Sequence, residues 1–259
     1  MKKLTTIMIL ATLLLTMQII AGDDVTFKNE YEKVQNDFDL ALKNVKSRAE
    51  YEALKKTRTK NYEALLKKYE KLTASDPVEI IRAKVLIKLG KFDDAIKKTD
   101  SIIKKKSKWY NDAMLTKVHV YFTQMKMEKA LVLFRKIEKN LKPGYDLYQA
   151  YQYFAMVAKS DKVKIEYMDK FIAIKDLPEK MKMNKPLIIS SKAKLFLDKD
   201  KKKAMELYKK ALEAAKAFPR IKGMIESEVS QAKFIGSTAP AISAEKWINS
   251  NPLILEKLR

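Results

Sequence analysis

The sequence predicts an all-α protein: an array of antiparallel helical hairpins, preceded by two long N-terminal helices and followed by an irregular C-terminal tail. Three observations predict it. Apolar residues recur at three- and four-residue spacing from Val25 to Ile235. No stretch in that span alternates with period two for long enough to demand a strand. A short triplet of buried-type residues also returns about every 35 residues.

The first long stretch, Val25 to Leu72, is polar but periodic. Phe27, Tyr31, Val34, Phe38, Ala41 and Val45 mark one face, and Tyr62, Leu65, Leu66, Tyr69 and Leu72 mark another. Ser47-Arg48-Ala49-Glu50 reads as a capping box, so two helices meeting near residue 47 is the natural parse. A coiled coil is the alternative. Asp76-Pro77-Val78-Glu79 then supplies a cap residue, a proline at the first helical position and an acid in the first turn. That helix stops at Gly90, a residue suited to a left-handed terminus, and Lys91 to Ala95 opens its partner.

From Ala95, steps of four and three lead to Thr99 and Ile102. The same steps from Ala130 give Phe134 and Ile137, from Ile165 give Asp169 and Ile172, and from Ala204 give Tyr208 and Ala211. A small residue lets two helices approach, and the larger one fills the space beyond. Pro143-Gly144 separates two hairpins, Pro178 suits a first turn, and Pro219 precedes the last helix. Pro186 predicts a late helix start near Leu187. The period and triplet resemble the tetratricopeptide repeat, most closely through Ala83, Leu86, Gly90, Phe92 and Ala95, so the resemblance implies a protein-interaction fold.

The ends differ in character. Met1-Lys2-Lys3, an uncharged run from Leu4 to Ile20, and Ala21-Gly22 form the three-part pattern of a secretory signal. Cleavage is expected between Gly22 and Asp23, with Ala21/Gly22 second and a retained anchor as the alternative. Export to the periplasm or cell envelope follows, with no further apolar run of membrane-spanning length. The organisation expected is therefore a signal over 1–22, a helical region over 23–75, the hairpin array over 76–235 and a distinct tail over 236–259.

Chemistry is restricted by composition. Zero cysteines among 259 residues exclude disulfides and thiol nucleophiles within this chain, and one histidine cannot build a multi-imidazole zinc site. No catalytic, metal-binding or cofactor-binding residue is nominated, and no cofactor is expected. His119 sits within an amphipathic helix with no carboxylate four residues away and reads as structural. Asp93-Asp94 opens a helix, while Glu226 and Glu228 lie two apart and do not share a face. The twelve methionines read as core filler.

The net charge of +22 comes from 48 lysines and only six arginines. Dispersed lysine reads first as solvated helix surface, second as attraction to an anionic envelope polymer. Nucleic acid is disfavoured as a partner, since no aromatic–basic stripe appears. Protein or peptide is the expected partner, and Tyr145, Tyr148 and Tyr151, three apart along one helix, are the candidate contact residues against a bland role in packing.

After Gly236 the composition changes. Gly236, Ala239, Pro240, Ile242, Trp247, Ile248, Pro252, Leu253, Leu255, Leu258 and Arg259 are spaced as at the opening of a redoxin domain. This segment resembles the TlpA-like and AhpC/TSA families, whose members continue into a strand and a Cys-x-x-Cys site. The resemblance implies the helical N-terminal part of a thiol–disulfide oxidoreductase, cut before its catalytic motif and serving as a non-catalytic module. A complete helical adaptor is the alternative.

Overall fold

The computed structural model describes residues 24–72 and 74–235. The expected signal over 1–22 and the redoxin-like opening over 236–259 lie outside the described residues. Among the described residues every regular element is helical, and none of the helices is long and apolar enough to cross a membrane. The chain divides into two units, Met1–Ala150 and Tyr151–Arg259.

The first unit begins with α1 over residues 24–42 and α2 (Arg48–Lys68). Ser47 caps α2, its Oγ accepting from the Glu50 N–H at 3.2 Å. Glu50 reaches back to the Lys46 N–H at 2.7 Å, one residue before the position a standard capping box would use. The two helices fold back as an antiparallel pair rather than extending as a coiled coil. Phe27 packs edge-on against Tyr69 with centroids 5.1 Å apart, Tyr31 stacks on Tyr62 at 6.2 Å, and the Arg58 guanidinium lies 3.7 Å over Phe38.

Next come α3 (Asp76–Lys88) and α4 (Phe92–Lys105). The cap of α3 is Ser75 rather than Asp76, so Pro77 occupies the second helical position. Asp76 pairs instead with Lys105 of α4 at 3.1 Å. The turn between the helices is a Schellman motif: Gly90 has φ +73°, its N–H donates to Ile87 O at 3.1 Å, and Lys91 N–H donates to Leu86 O at 2.9 Å.

The following hairpin, α5 (Tyr110–Thr123) and α6 (Met127–Ile137), repeats that turn without glycine. Met125 adopts φ 57°, its N–H donates to Phe122 O at 2.9 Å, and Lys126 N–H donates to Tyr121 O at 2.8 Å. A 3-10 turn over Glu138–Asn140 and the Pro143-Gly144 bend lead into α7 (Tyr145–Val157).

The second unit contains α8 (Asp161–Ile172), the single turn α9 (Glu179–Lys182), α10 (Asn184–Phe196), α11 (Lys201–Ala214) and α12 (Pro219–Phe234). α10 packs on α8, α11 and α12, and Ile189, Ala193, Tyr208, Ala211, Ile225 and Ala232 form the core between α10, α11 and α12. Pro186 does not delay α10 to Leu187. The helix starts at Asn184, so Pro186 falls in the first turn, where no carbonyl one turn back needs its missing N–H.

Three of the four triplets are buried as expected: Ala95, Thr99 and Ile102; Ala130, Phe134 and Ile137; Ala204, Tyr208 and Ala211. The third is out by one residue. Asp169 is exposed and Ile165 and Ile172 are half-buried, whereas Met168 and Phe171 are fully enclosed. The register is therefore Lys164, Met168, Phe171, with the aliphatic stem of half-buried Lys164 in place of the alanine found in the other hairpins.

The Met125 turn generates a prediction with an unusual sign. A non-glycine side chain in the left-handed region costs about 1–2 kcal/mol, part of which glycine's extra unfolded-state entropy offsets. Met125→Gly should therefore stabilise the protein by about 0.5–1 kcal/mol, and Gly90→Ala should destabilise it by a similar amount. Urea unfolding of both variants checks this; loss of stability in Met125→Gly would refute the strain.

Candidate functional site

The first unit holds a cleft of about 710 Å³ between the start of α5 and the segment from the 3-10 turn to the start of α7. Its walls follow from two local breaks. Lys106 ends α4 in a left-handed conformation with φ 51°, and Ser107 Oγ accepts the Trp109 N–H at 3.2 Å, which sets the entry to α5. Opposite, Pro143-Gly144 bends the chain so that Tyr145 and Asp146 occupy the first turn of α7.

Trp109 and Tyr145 supply aromatic surface, and Leu115, Leu141 and Leu147 add aliphatic surface. Lys108, Asn111, Asp112, Asn140, Lys142 and Asp146 supply polar groups. Lys108 holds its ammonium 5.8 Å from the Trp109 ring. Asp146 is paired with Lys84 of α3 at 2.8 Å. Among the described residues the Asp112 carboxylate makes no ion pair.

Behind the cleft lies a cluster of titratable groups drawn from three helices. His119 lies two turns along α5 from Asp112, on the same face. Its Nε2 is enclosed and has no hydrogen-bond partner among the described residues, and its ring sits 5.9 Å from that of Phe122. Burial pushes the imidazole down to about 4; Asp146 pulls the other way, and Lys84 and Lys88 add to the depression. Burial opposes ionisation of Asp146, but the adjacent Lys84 ammonium, helped by His119, holds the carboxyl below the usual carboxylate range. Partial burial pushes the Asp112 carboxyl up, with the push of Asp146 and against the pull of Lys84, its own backbone N–H and Lys142.

Of the three tyrosines expected to meet a partner, Tyr145 is 48% exposed and lines the cleft. Tyr148 is half-buried and outside the lining. Tyr151 is also half-buried and belongs to the second unit, where its ring lies 5.8 Å from Tyr167. Sequence reasoning missed Trp109, Asp112 and the Lys84–Asp146 pair. A charge within the apolar pattern of α5 was the available signal for Asp112, whereas a pair 62 residues apart leaves no local trace. Among the described residues no three histidine, cysteine or acidic side chains gather closely enough to hold a metal ion.

The chain matches no protein-family model, and no curated protein matches it. Among solved structures it is similar to a thermophilic tetratricopeptide-repeat protein of Thermus thermophilus. The identity is 18%, over 76% of this chain and 99% of that chain, with a TM-score of 0.45.

His119 gives this region a pH signature. With a native value near 4 and an ordinary value near 6.5, the unfolded chain binds more protons between those limits. Stability carried by the neutral imidazole is complete above about pH 6.5 and is lost as pH falls toward 4. Between pH 7.5 and 5.0 the loss should be on the order of 2 kcal/mol. The raised Asp112 carboxyl acts in the opposite direction, but mainly at more acid pH. His119→Phe should flatten the dependence of the urea midpoint over this window; an unchanged slope would show that His119 is not its source.

Proposed function

We propose that the hairpins form a non-catalytic protein-interaction module whose first unit receives a peptide segment of its partner in the cleft between α5 and α7. The observation that carries this reading is the cleft itself. Its volume falls in the range of ligand sites, and it combines aromatic walls with several polar groups that make no ion pair among the described residues. A groove built on helices also holds its lining in fixed register, which favours recognition over chemistry.

The finer reading rests on the sequence of the two ends. The signal-like N-terminus supports action in the periplasm or cell envelope. The redoxin-like opening over Gly236–Arg259 supports a role in presenting a client to a thiol–disulfide oxidoreductase domain of the TlpA-like kind. The division into a helical region over 23–75, an array over 76–235 and a tail belongs to the same proposal.

Two measurements test these readings. A photo-crosslinking amino acid at Tyr145 should trap a protein partner in cells, while the same group at exposed Met224 of α12 should not. Equal labelling from both positions, or none from Tyr145, would overturn the cleft as the contact. N-terminal sequencing of the chain recovered from the envelope fraction should begin at Asp23; a chain that still starts at Met1 would sink the cleaved-signal reading.

A further inference from the structure

Among the described residues, five polar side chains around this cleft make no ion pair and no hydrogen bond to another side chain: Lys108, Asn111, Asp112, Asn140 and Lys142. Elsewhere in the first unit, acids that face lysines are taken up by them. Glu30 binds Lys68 at 2.6 Å, Glu79 binds Lys98 at 2.6 Å, Asp100 binds Lys117 at 2.6 Å, and Asp146 binds Lys84 at 2.8 Å. Asp112 makes no ion pair with the described residues, although Lys84 and Lys142 pull on its carboxyl, and it lines a concavity of a chain with 22 excess positive charges.

The charges around it run the other way. Lys108 and Lys142 flank the cleft, and α5 and α7 both begin at its walls, so their first-turn N–H groups add positive potential. A wholly basic ligand meets repulsion from this rim and from the net charge of the chain. A wholly acidic ligand places a carboxylate against Asp112, and like charges in a crowded site repel. Trp109 lines the same cleft as Asp112, and a carboxylate and an aromatic ring in one cleft suit a guanidinium or ammonium group. The amides of Asn111 and Asn140 can hydrogen-bond an extended backbone on either side.

We infer that the cleft selects an acidic peptide segment carrying one basic side chain, with the cation seated between Asp112 and Trp109 and the flanking acids against Lys108 and Lys142. This inference rests on the reading of the cleft as a peptide site and adds the charge pattern of the occupant. An acid at the third position of α5 also favours the helix dipole. That role accounts for a negative charge there, but it predicts a change in stability with no change in peptide choice.

The test uses the full chain and two fluorescein-labelled nonapeptides, each with two acids on either side of a central residue. One carries arginine at the centre and the other carries citrulline, its neutral counterpart. Fluorescence anisotropy should show the arginine peptide binding at least tenfold more tightly at 100 mM salt. Asp112→Asn should abolish that preference, weakening the arginine peptide and relieving the repulsion that the citrulline peptide meets. The double variant Lys108→Ala/Lys142→Ala should weaken both peptides and flatten the salt dependence. Millimolar free arginine should compete poorly, which separates a peptide side chain from a small organic cation as the source of the charge.

Equal affinity for the two peptides, or an arginine preference that survives Asp112→Asn, overturns the inference. Equal binding that is lost in Trp109→Ala would leave the cleft as a peptide site without cation selection. Failure of both peptides to bind would remove the inference and count against the cleft as a peptide site.

Discussion

Close approach of helices at a single small residue is the constraint on which the rest of the structure depends. Ala95, Ala130 and Ala204 are completely enclosed, and each is followed one turn later by an equally enclosed Thr99, Phe134 or Tyr208. A methyl group at the crossing brings the two backbones together, and the larger neighbour then fills the widening gap. Because the hairpin is short, its orientation is set by few contacts, so enlarging any of these alanines would force the pair apart. Conversely, α8 shows that the small position tolerates a lysine stem when Met168 and Phe171 carry the packing. The device is geometric, and it survives replacement of its most recognisable residue.

Packing alone does not place the first hairpin, and a buried guanidinium supplies the rest. Arg82 of α3 donates to Tyr69 O and, at 3.2 Å, to Leu72 O, so it satisfies carbonyls just past the end of α2 that have no helical partner. Its other arm pairs with Glu79 at 2.6 Å, and the group lies 5.9 Å from the Phe27 ring of α1. Glu79 in turn holds Lys98 of α4. One cation thereby ties together four helices. A charge removed from water is tolerated because every direction of its fork meets an acceptor or a π face. Two residues further along α3, Lys84 reaches Asp146 across the hairpins, so the same helix that anchors the N-terminal pair also orients the wall of the cleft.

Most of the fold was legible because it rests on local signals. Ser47 with Glu50, Pro77, Gly90 and Pro219 each mark a helix boundary through backbone chemistry that acts within a few residues. The mismatches share a cause as well. Ile165 and Asp169 enter the triplet only because isoleucine looks apolar enough for the small position. A lysine whose stem is buried and whose ammonium leans toward Asp161 at 3.8 Å is invisible to a count of apolar residues. Met125 hid a left-handed turn in the same way, since the hydrogen bonds around it impose the conformation that glycine would have advertised. Tyr145 was legible as a candidate, but the rest of the cleft was not. Trp109 reads as an ordinary core aromatic, and the pairing of Asp146 with Lys84 exists only once the first turn of α7 meets Lys84 of α3.

The same contrast bears on what the large positive charge does. Ion pairs between exposed side chains contribute about 0–1 kcal/mol each, so the many lysine–carboxylate pairs here say little about stability. Lys55 with Glu52, Lys97 with Asp94 and Lys216 with Glu213 are of this solvent-exposed kind. They do, however, neutralise the surface locally, and that changes the weight of the charges left over. A lone lysine on a convex helix face is screened by water and salt within about 8–10 Å. Lys108, Asp112 and Lys142 are solvent-exposed as well, but they line one concavity with Trp109 and Tyr145, so their charges act on the same bound group. Partial burial raises the Asp112 carboxyl, and Lys84 and Lys142 pull it back down. On the proposed reading, the overall excess of lysine sets how strongly an acidic chain would be drawn in, and a few groups in one cleft set which residue of that chain would be accepted.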